Sequence, residues 1–180
     1  MKLIILDRDG VINHDSDQYI KSTDEWLPIP GSLEAIARLK QADYKIAVAT
    51  NQSGVARGLF GFDTLNRMHA KMLKMVVDVG GGIDAIFFCP HLPEENCACR
   101  KPKPGLLKDI GERFGVDLDG VPVVGDSLRD IQSAQQVNAS PYLVRTGKGE
   151  RTIASGEGLQ GVPVFEDLAT VVDHILVSEA

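Results

Sequence analysis

At 180 residues, 43% of them hydrophobic and 24% charged, the chain has the make-up of one ordinary globular domain, 1–180, and not of a disordered segment. A net charge of −6 excludes the basic field that nucleic-acid binding needs. The start, Met1–Leu6, meets Asp7 too soon for a secretory signal, and no run approaches the roughly 20 apolar residues of a spanning helix, so a cytoplasmic protein without a membrane partner is expected.

Short apolar runs alternate with helical patterns along the chain. Leu3–Leu6 reads as a buried strand, and Pro30-Gly31-Ser32 opens a helix with Leu33, Ile36, Ala37 and Leu39 on one face. Ile46–Ala49 is a second strand, and Asp63 or Thr64 is placed to cap a helix carrying Leu65, Met68, Met72, Met75 and Val76. Ile83–Phe88 is a third strand, with a helix opened by Pro104-Gly105 after it. Val121–Val124, a helix near Leu128–Val137, Tyr142–Val144, an edge strand at Val162–Phe165 and a helix near Asp167–Val177 complete the series. Such alternation predicts an α/β fold, a parallel central sheet with helices on both faces. The long loops, Asn13–Pro30, Cys89–Pro104 and Gly147–Gly161, are where substrate contacts are expected.

Three strands run straight into polar residues at what would be the carboxyl edge of the sheet, where ligands bind in such folds. Leu6 leads to Asp7-Arg8-Asp9-Gly10, Ala49 to Thr50-Asn51-Gln52-Ser53-Gly54, and Val124 to Gly125-Asp126-Ser127. Polar residues follow strands in general, so one such end says little; three with different chemistry point to one site. The residue types suit phosphoryl transfer. A carboxylate can attack a phosphorus whose anionic oxygens are neutralised by a divalent cation. Asp7 fits the nucleophile, and Asp9 the acid that protonates the leaving oxygen and then serves as base toward water. Asp7, Asp9 and Asp126 offer hard oxygen ligands that favour Mg²⁺, and Thr50 and Asn51 offer a hydroxyl and an amide to the phosphate oxygens. Gly10 gives the backbone freedom for the turn that brings both first-motif carboxylates to one phosphate.

All three cysteines fall in one short stretch, Cys89-Pro90-His91 and Cys97-Ala98-Cys99, which argues against a disulfide framework. Each pair could chelate one tetrahedral Zn²⁺. Spacing alone leaves open three unrelated cysteines and a surface histidine. Of the other histidines, His14 is close enough in sequence to reach substrate or stand in solvent, whereas His69 and His174 fall in helical patterns that suit structural roles.

Asp7-Arg8-Asp9-Gly10, Thr50, Lys101 and Gly125-Asp126-Ser127-Leu128-Arg129-Asp130 resemble, in order and strand context, the four motifs of the haloacid dehalogenase superfamily. The resemblance implies Asp7 as nucleophile, Asp9 as acid/base and Lys101, in preference to Lys103, as the lysine that steadies the phosphate. It leaves Asp130 to orient Lys101 or a metal-bound water, or to serve as an ordinary helix-start acid. The segment from Cys89 to Pro104 is similar to the zinc loop of two subfamilies, the heptose 1,7-bisphosphate and the histidinol-phosphate phosphatases. This implies a structural Zn²⁺ held by Cys89, His91, Cys97 and Cys99.

Thr50 to Gly58 resembles the heptose subfamily, which implies a small sugar bisphosphate as substrate, removal of one phosphate, and a place in nucleotide-heptose and lipopolysaccharide synthesis. The contacts implied are Asp15, Ser16, Tyr19, Thr50, Asn51, Gln52, Ser53 and Arg100, with Lys101 at the reacting phosphate. Arg57 and Arg100 supply charge for a second phosphate. Histidinol phosphate is the alternative, since the segment between His91 and Cys97 is short as in that subfamily; its cationic nitrogen would want Asp15 and Asp17. No large insertion interrupts the chain, so no cap domain is expected, and a macromolecular substrate would be admitted sterically. A nucleic-acid end-processing module is therefore the alternative of another class, disfavoured by the net acidity. A monomer is expected.

Overall fold

In the computed structural model, which describes residues 1–178, side chains alternate along each central strand between two cores. In β1 (Lys2–Leu6), Ile4 and Leu6 face one core and Leu3 and Ile5 the other; in β2 (Tyr44–Asn51), Ile46 and Val48 oppose Ala47 and Ala49 in the same way. Both faces are apolar, so helices must cover both. The first core is closed by α1 (Ser32–Gln41), α2 (Phe62–Asp78) and α6 (Leu168–Ser178), through Leu33, Ile36, Met68, Met72 and Val172. The second is closed by α3 (Gly105–Phe114) and α4 (Leu128–Gln135), through Leu106, Leu107, Ile110 and Ala134.

With β3 (Ala85–Cys89), β4 (Pro122–Gly125), β5 (Ser140–Val144) and β6 (Val164–Phe165), the strands form one sheet in the order β3-β2-β1-β4-β5-β6, every pair parallel. This is the α/β architecture the alternation predicts, with β6 at an edge. The chain winds outward from β1 to β3, then returns to lay β4 against the other side of β1. The carboxyl ends of β1 and β4 therefore flank the point where strand order reverses, the crevice in which such sheets bind ligands.

Three local expectations need correction. Neither Asp63 nor Thr64 caps α2: Gly61 holds the cap position with extended backbone, and Asp63 lies in the first turn, where its charge suits the helix dipole. The helix after β4 stops at Gln135, short of Val137. The 147–161 loop contains a helix, α5 (Gly149–Ser155), too short at 7 residues to show a periodic face. No helix among the described residues is long and apolar enough to cross a membrane.

Candidate active site

Asp7 leaves β1 at the crevice, its backbone N–H donating to Val124 O at 2.9 Å. Asp126 leaves β4 beside it, 3% exposed. The turn after Asp7 depends on Gly10, whose φ is +85° and whose missing Cβ would stand 2.0 Å from Asp126 Oδ2. Only glycine lets these two carboxylates share the site.

Lys101 and Asp130 stand behind the pair. Lys101, 4% exposed, places Nζ 3.1 Å from Asp7 Oδ1, 2.6 Å from Asp130 Oδ1 and 2.8 Å from Ala49 O. Burial alone would lower its affinity for a proton, but Asp130 and Asp7 more than reverse this and hold the ammonium charged. Asp130 Oδ2 accepts from the N–H groups of Asp126 and Ser127 and from Ser127 Oγ, so the residue both closes the capping box of α4 and holds Lys101. Lys103 points elsewhere, onto Asn96 Oδ1 and Cys97 O.

Carboxylate oxygens of Asp7, Asp126 and Asp130 all lie within 4.8 Å of one another. The set expected from the sequence is Asp7, Asp9 and Asp126; the Asp9 side chain is not in this cluster and is turned to other donors. Its Oδ1 accepts from Arg8 Nε at 3.0 Å and Asn13 Nδ2 at 2.8 Å, and its Oδ2 from Gln52 Nε2 at 3.0 Å. Burial pushes Asp9 up, but the Arg8 charge and these hydrogen bonds outweigh it and hold the carboxyl below its ordinary range. Asp7 goes the other way, pushed up to about 7 by burial and by Asp130, with Lys101 opposing. Burial, Asp7 and Asp130 likewise push Asp126 well up. Two adjacent carboxylates that resist ionising are what a hard divalent cation would relieve, so the donor set fits magnesium. Asp130 has both oxygens committed, which leaves Asp7 and Asp126 as the side chains able to hold it.

The site opens into a cavity of about 250 Å³ lined by every residue expected to touch substrate: Asp15, Ser16, Tyr19, Thr50, Asn51, Gln52, Ser53, Arg57, Arg100 and Lys101. Gln52 Nε2 joins Thr50 Oγ1, at 2.9 Å, to Asp9. Asn51, besides lining the cavity, forms a reciprocal pair between its amide and the backbone of Lys101, both bonds 3.1 Å, and so fixes that lysine. Arg57 lies over the Tyr19 ring, and Arg100 donates to His91 O. His14 is exposed and lines no part of the cavity, while His174 packs at a tilt against Phe165 and Tyr142.

Arg129 and Lys148 also line the cavity, beyond the contacts that the sequence offers, as does Asp17 of the histidinol alternative. Lys148 donates its N–H to Asp126 Oδ2 at 2.8 Å and sets Nζ 3.3 Å from Asp15 Oδ2. Arg151 of α5 grips both oxygens of Asp17 at 3.1–3.2 Å, and Thr152 Oγ1 reaches Asp126 O. The signal was present, since Thr146-Gly147-Lys148 follow the carboxyl end of β5 just as the other motifs follow theirs.

In the Cys89–Pro104 loop, the three Sγ atoms lie 3.0–3.6 Å apart, and His91 Nδ1 lies 3.4 Å from Cys89 Sγ and 3.3 Å from Cys99 Sγ. Bonds of roughly 2.0–2.3 Å in a tetrahedron put ligand atoms about 3.3–3.8 Å apart, so the cluster fits zinc. All three cysteines are free.

A protein-family model described as HAD-hydrolase-like matches residues 98–171. The D-glycero-beta-D-manno-heptose-1,7-bisphosphate 7-phosphatase of Bordetella bronchiseptica is 58% identical over 176 residues, 98% of each chain, and that of Pseudomonas aeruginosa is 55% identical over 97% of each. The crystal structure of the B. bronchiseptica D,D-heptose 1,7-bisphosphate phosphatase, complexed with magnesium and phosphate, superposes over 100% of both chains with a TM-score of 0.97. That of the Burkholderia thailandensis phosphatase, 47% identical, covers 98% of this chain and 99% of its own with a TM-score of 0.78. The chain belongs to the D-glycero-beta-D-manno-heptose-1,7-bisphosphate 7-phosphatase family of HAD-like hydrolases.

Proposed function

We propose that the chain, acting as a single-domain monomer in the cytoplasm, removes the 7-phosphate of D-glycero-β-D-manno-heptose 1,7-bisphosphate in a magnesium-dependent reaction that supplies nucleotide-heptose synthesis. Asp7 Oδ attacks the phosphorus as the bond to the sugar oxygen breaks, and Asp9 gives that oxygen a proton. Water then attacks the phosphoryl group on Asp7, Asp9 takes the proton, and inorganic phosphate leaves. Arg8 holds Asp9 ionised beforehand; a phosphate dianion beside it raises its proton affinity. Lys101 and Thr50 steady the phosphoryl oxygens. A magnesium ion bound by Asp7 and Asp126 would offset the negative charge between nucleophile and phosphate. A zinc ion bound by Cys89, His91, Cys97 and Cys99 would fix the loop that carries Arg100 and Lys101.

One observation carries the choice of substrate. Asp15 is paired with Lys148 and Asp17 with Arg151, whereas Arg57, Arg100 and Arg129 line the same cavity without a carboxylate partner among the described residues. The open charge is positive, which suits a second phosphate and disfavours the cationic nitrogen of histidinol phosphate. Incubation with magnesium and the heptose bisphosphate, followed by ³¹P NMR, should yield the 1-phosphate and inorganic phosphate. Faster turnover of histidinol phosphate would overturn the reading.

A further inference from the structure

Arg8 lies between the two carboxylates of the first motif and is completely buried. Burying a guanidinium is costly unless its charge and donors find partners. Its Nε donates to Asp9 Oδ1 at 3.0 Å, and Nη2, with no hydrogen bond of its own, lies 2.8 Å from the same oxygen as an ion pair. Its Nη1 lies 3.2 Å from Nε2 of His69, which reaches the site from α2, 61 residues further along the chain. Arginine has no acceptor, so Nη1 donates and His69 Nε2 must accept, which makes the imidazole neutral with its proton on Nδ1. Burial and the Arg8 charge favour the same form. His69 is itself buried and packs at 6.2 Å against the ring of Phe88 on β3, so it cannot readily follow if Arg8 moves.

Asp9 is thereby fixed by its inner oxygen. Arg8 and Asn13 both take Oδ1, so Oδ2 is the oxygen turned to Gln52 and, through it, to Thr50. A proton exchanged with substrate must then travel on Oδ2.

We propose that Arg8 and His69 are positioning residues for Asp9: the neutral imidazole braces the buried guanidinium, which anchors Oδ1 and leaves Oδ2 aimed at the leaving oxygen. The inference rests on the reading of Asp9 as the acid/base. Neither residue touches substrate, and His69 stands outside all four motifs.

Leaving-group dependence tests this, because only a poor leaving group needs the proton. The quantity compared is kcat/KM, which reports steps up to release of the alcohol, for the heptose bisphosphate and for an aryl phosphate with an acidic phenol. Asp9→Asn should lower the sugar ester by roughly 100-fold or more and the aryl ester far less. His69→Leu, which leaves the Arg8 N–H without an acceptor, should reproduce that selectivity at about 10-fold, as a partial loss of the same effect. His69→Gln, which keeps an acceptor, should restore most of it. The ratio of the two esters comes from one sample, so partial unfolding cancels; if His69→Leu does not fold, Arg8→Lys, which keeps the charge but not the fork, takes its place. Equal losses on both esters in His69→Leu, with selectivity intact in Asp9→Asn, would reduce His69 to packing and overturn the inference. Equal losses in Asp9→Asn would instead remove the acid/base reading, and this inference with it.

Discussion

Lys101 is held more closely by Asp130, at 2.6 Å, than by Asp7, at 3.1 Å. The nearer partner lies behind the site, where it also caps α4, so the ammonium keeps its place when a phosphoryl group occupies Asp7. Removing one member of a buried pair strands the other's charge, which costs about 3–5 kcal/mol. Asp130→Ala should therefore lose stability on that scale, read as a lower urea midpoint at unchanged slope. A change below about 1 kcal/mol would mean that Lys101 finds a sufficient substitute in Asp7.

Asp7→Asn should abolish turnover without loss of stability. The surroundings of Asp7 oppose its charge, since burial, Asp130 and Asp9 push its pKa up to about 7. Above that pH the ionised carboxylate weakens the metal-free fold, and an amide of the same shape removes the penalty. At pH 8 in the presence of a chelator, the melting temperature of Asp7→Asn should equal or exceed that of the wild type. A variant that keeps more than a few per cent of wild-type phosphate release would defeat the assignment of the nucleophile.

What was legible in the sequence is what has a period or a fixed local spacing. β1 and β2 alternate between two cores, Asp7 and Asp126 each stand just past a strand and Thr50 is the last residue but one of β2, so the sheet and its loaded edge could be read directly. Contacts made by side chains distant in sequence were not. His69 sits on the buried face of α2, where a histidine looks like filling; only the fold brings Arg8 to it. The second role of Asn51, fixing the backbone of Lys101, was not readable either, because the reciprocal bonds span 50 residues. Lys148 and Arg151 were hidden inside an apparent loop, yet they neutralise the two aspartates that kept the histidinol alternative open.

Zinc should copurify at about one ion per chain and survive dialysis against chelators mild enough to remove only magnesium. Cys97→Ser should lower the melting temperature and reduce kcat as a secondary effect. The loop's inner contacts run from Arg100 to His91 O and from Gly105 N–H to Ala98 O, so loosening the cluster loosens the backbone on which Lys101 stands. Metal analysis that finds no zinc in protein purified under reducing conditions would remove the claim.

Arg100→Ala should separate the remote phosphate from the reacting one. Arg100 is half-buried, and burial together with repulsion from Arg129 makes its charge costly, a strain that a phosphate would relieve. A charged hydrogen bond is worth about 1.5–3 kcal/mol, or about 10- to 100-fold. The variant should lose that much kcat/KM on the heptose bisphosphate and much less on an aryl phosphate, which has nothing to place there. Equal losses on both would assign Arg100 to the reacting phosphate or to the zinc loop.

Stability should fall through the mildly acidic range because of His69. Burial first, and then the Arg8 charge, lower its pKa from an ordinary 6.5 to about 4 in the folded state. Between these values the unfolded chain takes up a proton that the folded chain refuses. The stability attached to neutral His69 is therefore complete above pH 6.5 and is lost as pH falls toward 4. A difference of that size corresponds to about 3 kcal/mol across the window. His69→Gln has no such proton to refuse, so the wild type should lose about 3 kcal/mol relative to it between pH 7 and pH 4. Urea midpoints for both proteins at pH 7, 5.5 and 4 measure this, and groups common to the two cancel in the difference. A wild-type-minus-variant difference that stays constant over the window would show His69 accepting a proton in the fold, and so no longer accepting the hydrogen bond from Arg8.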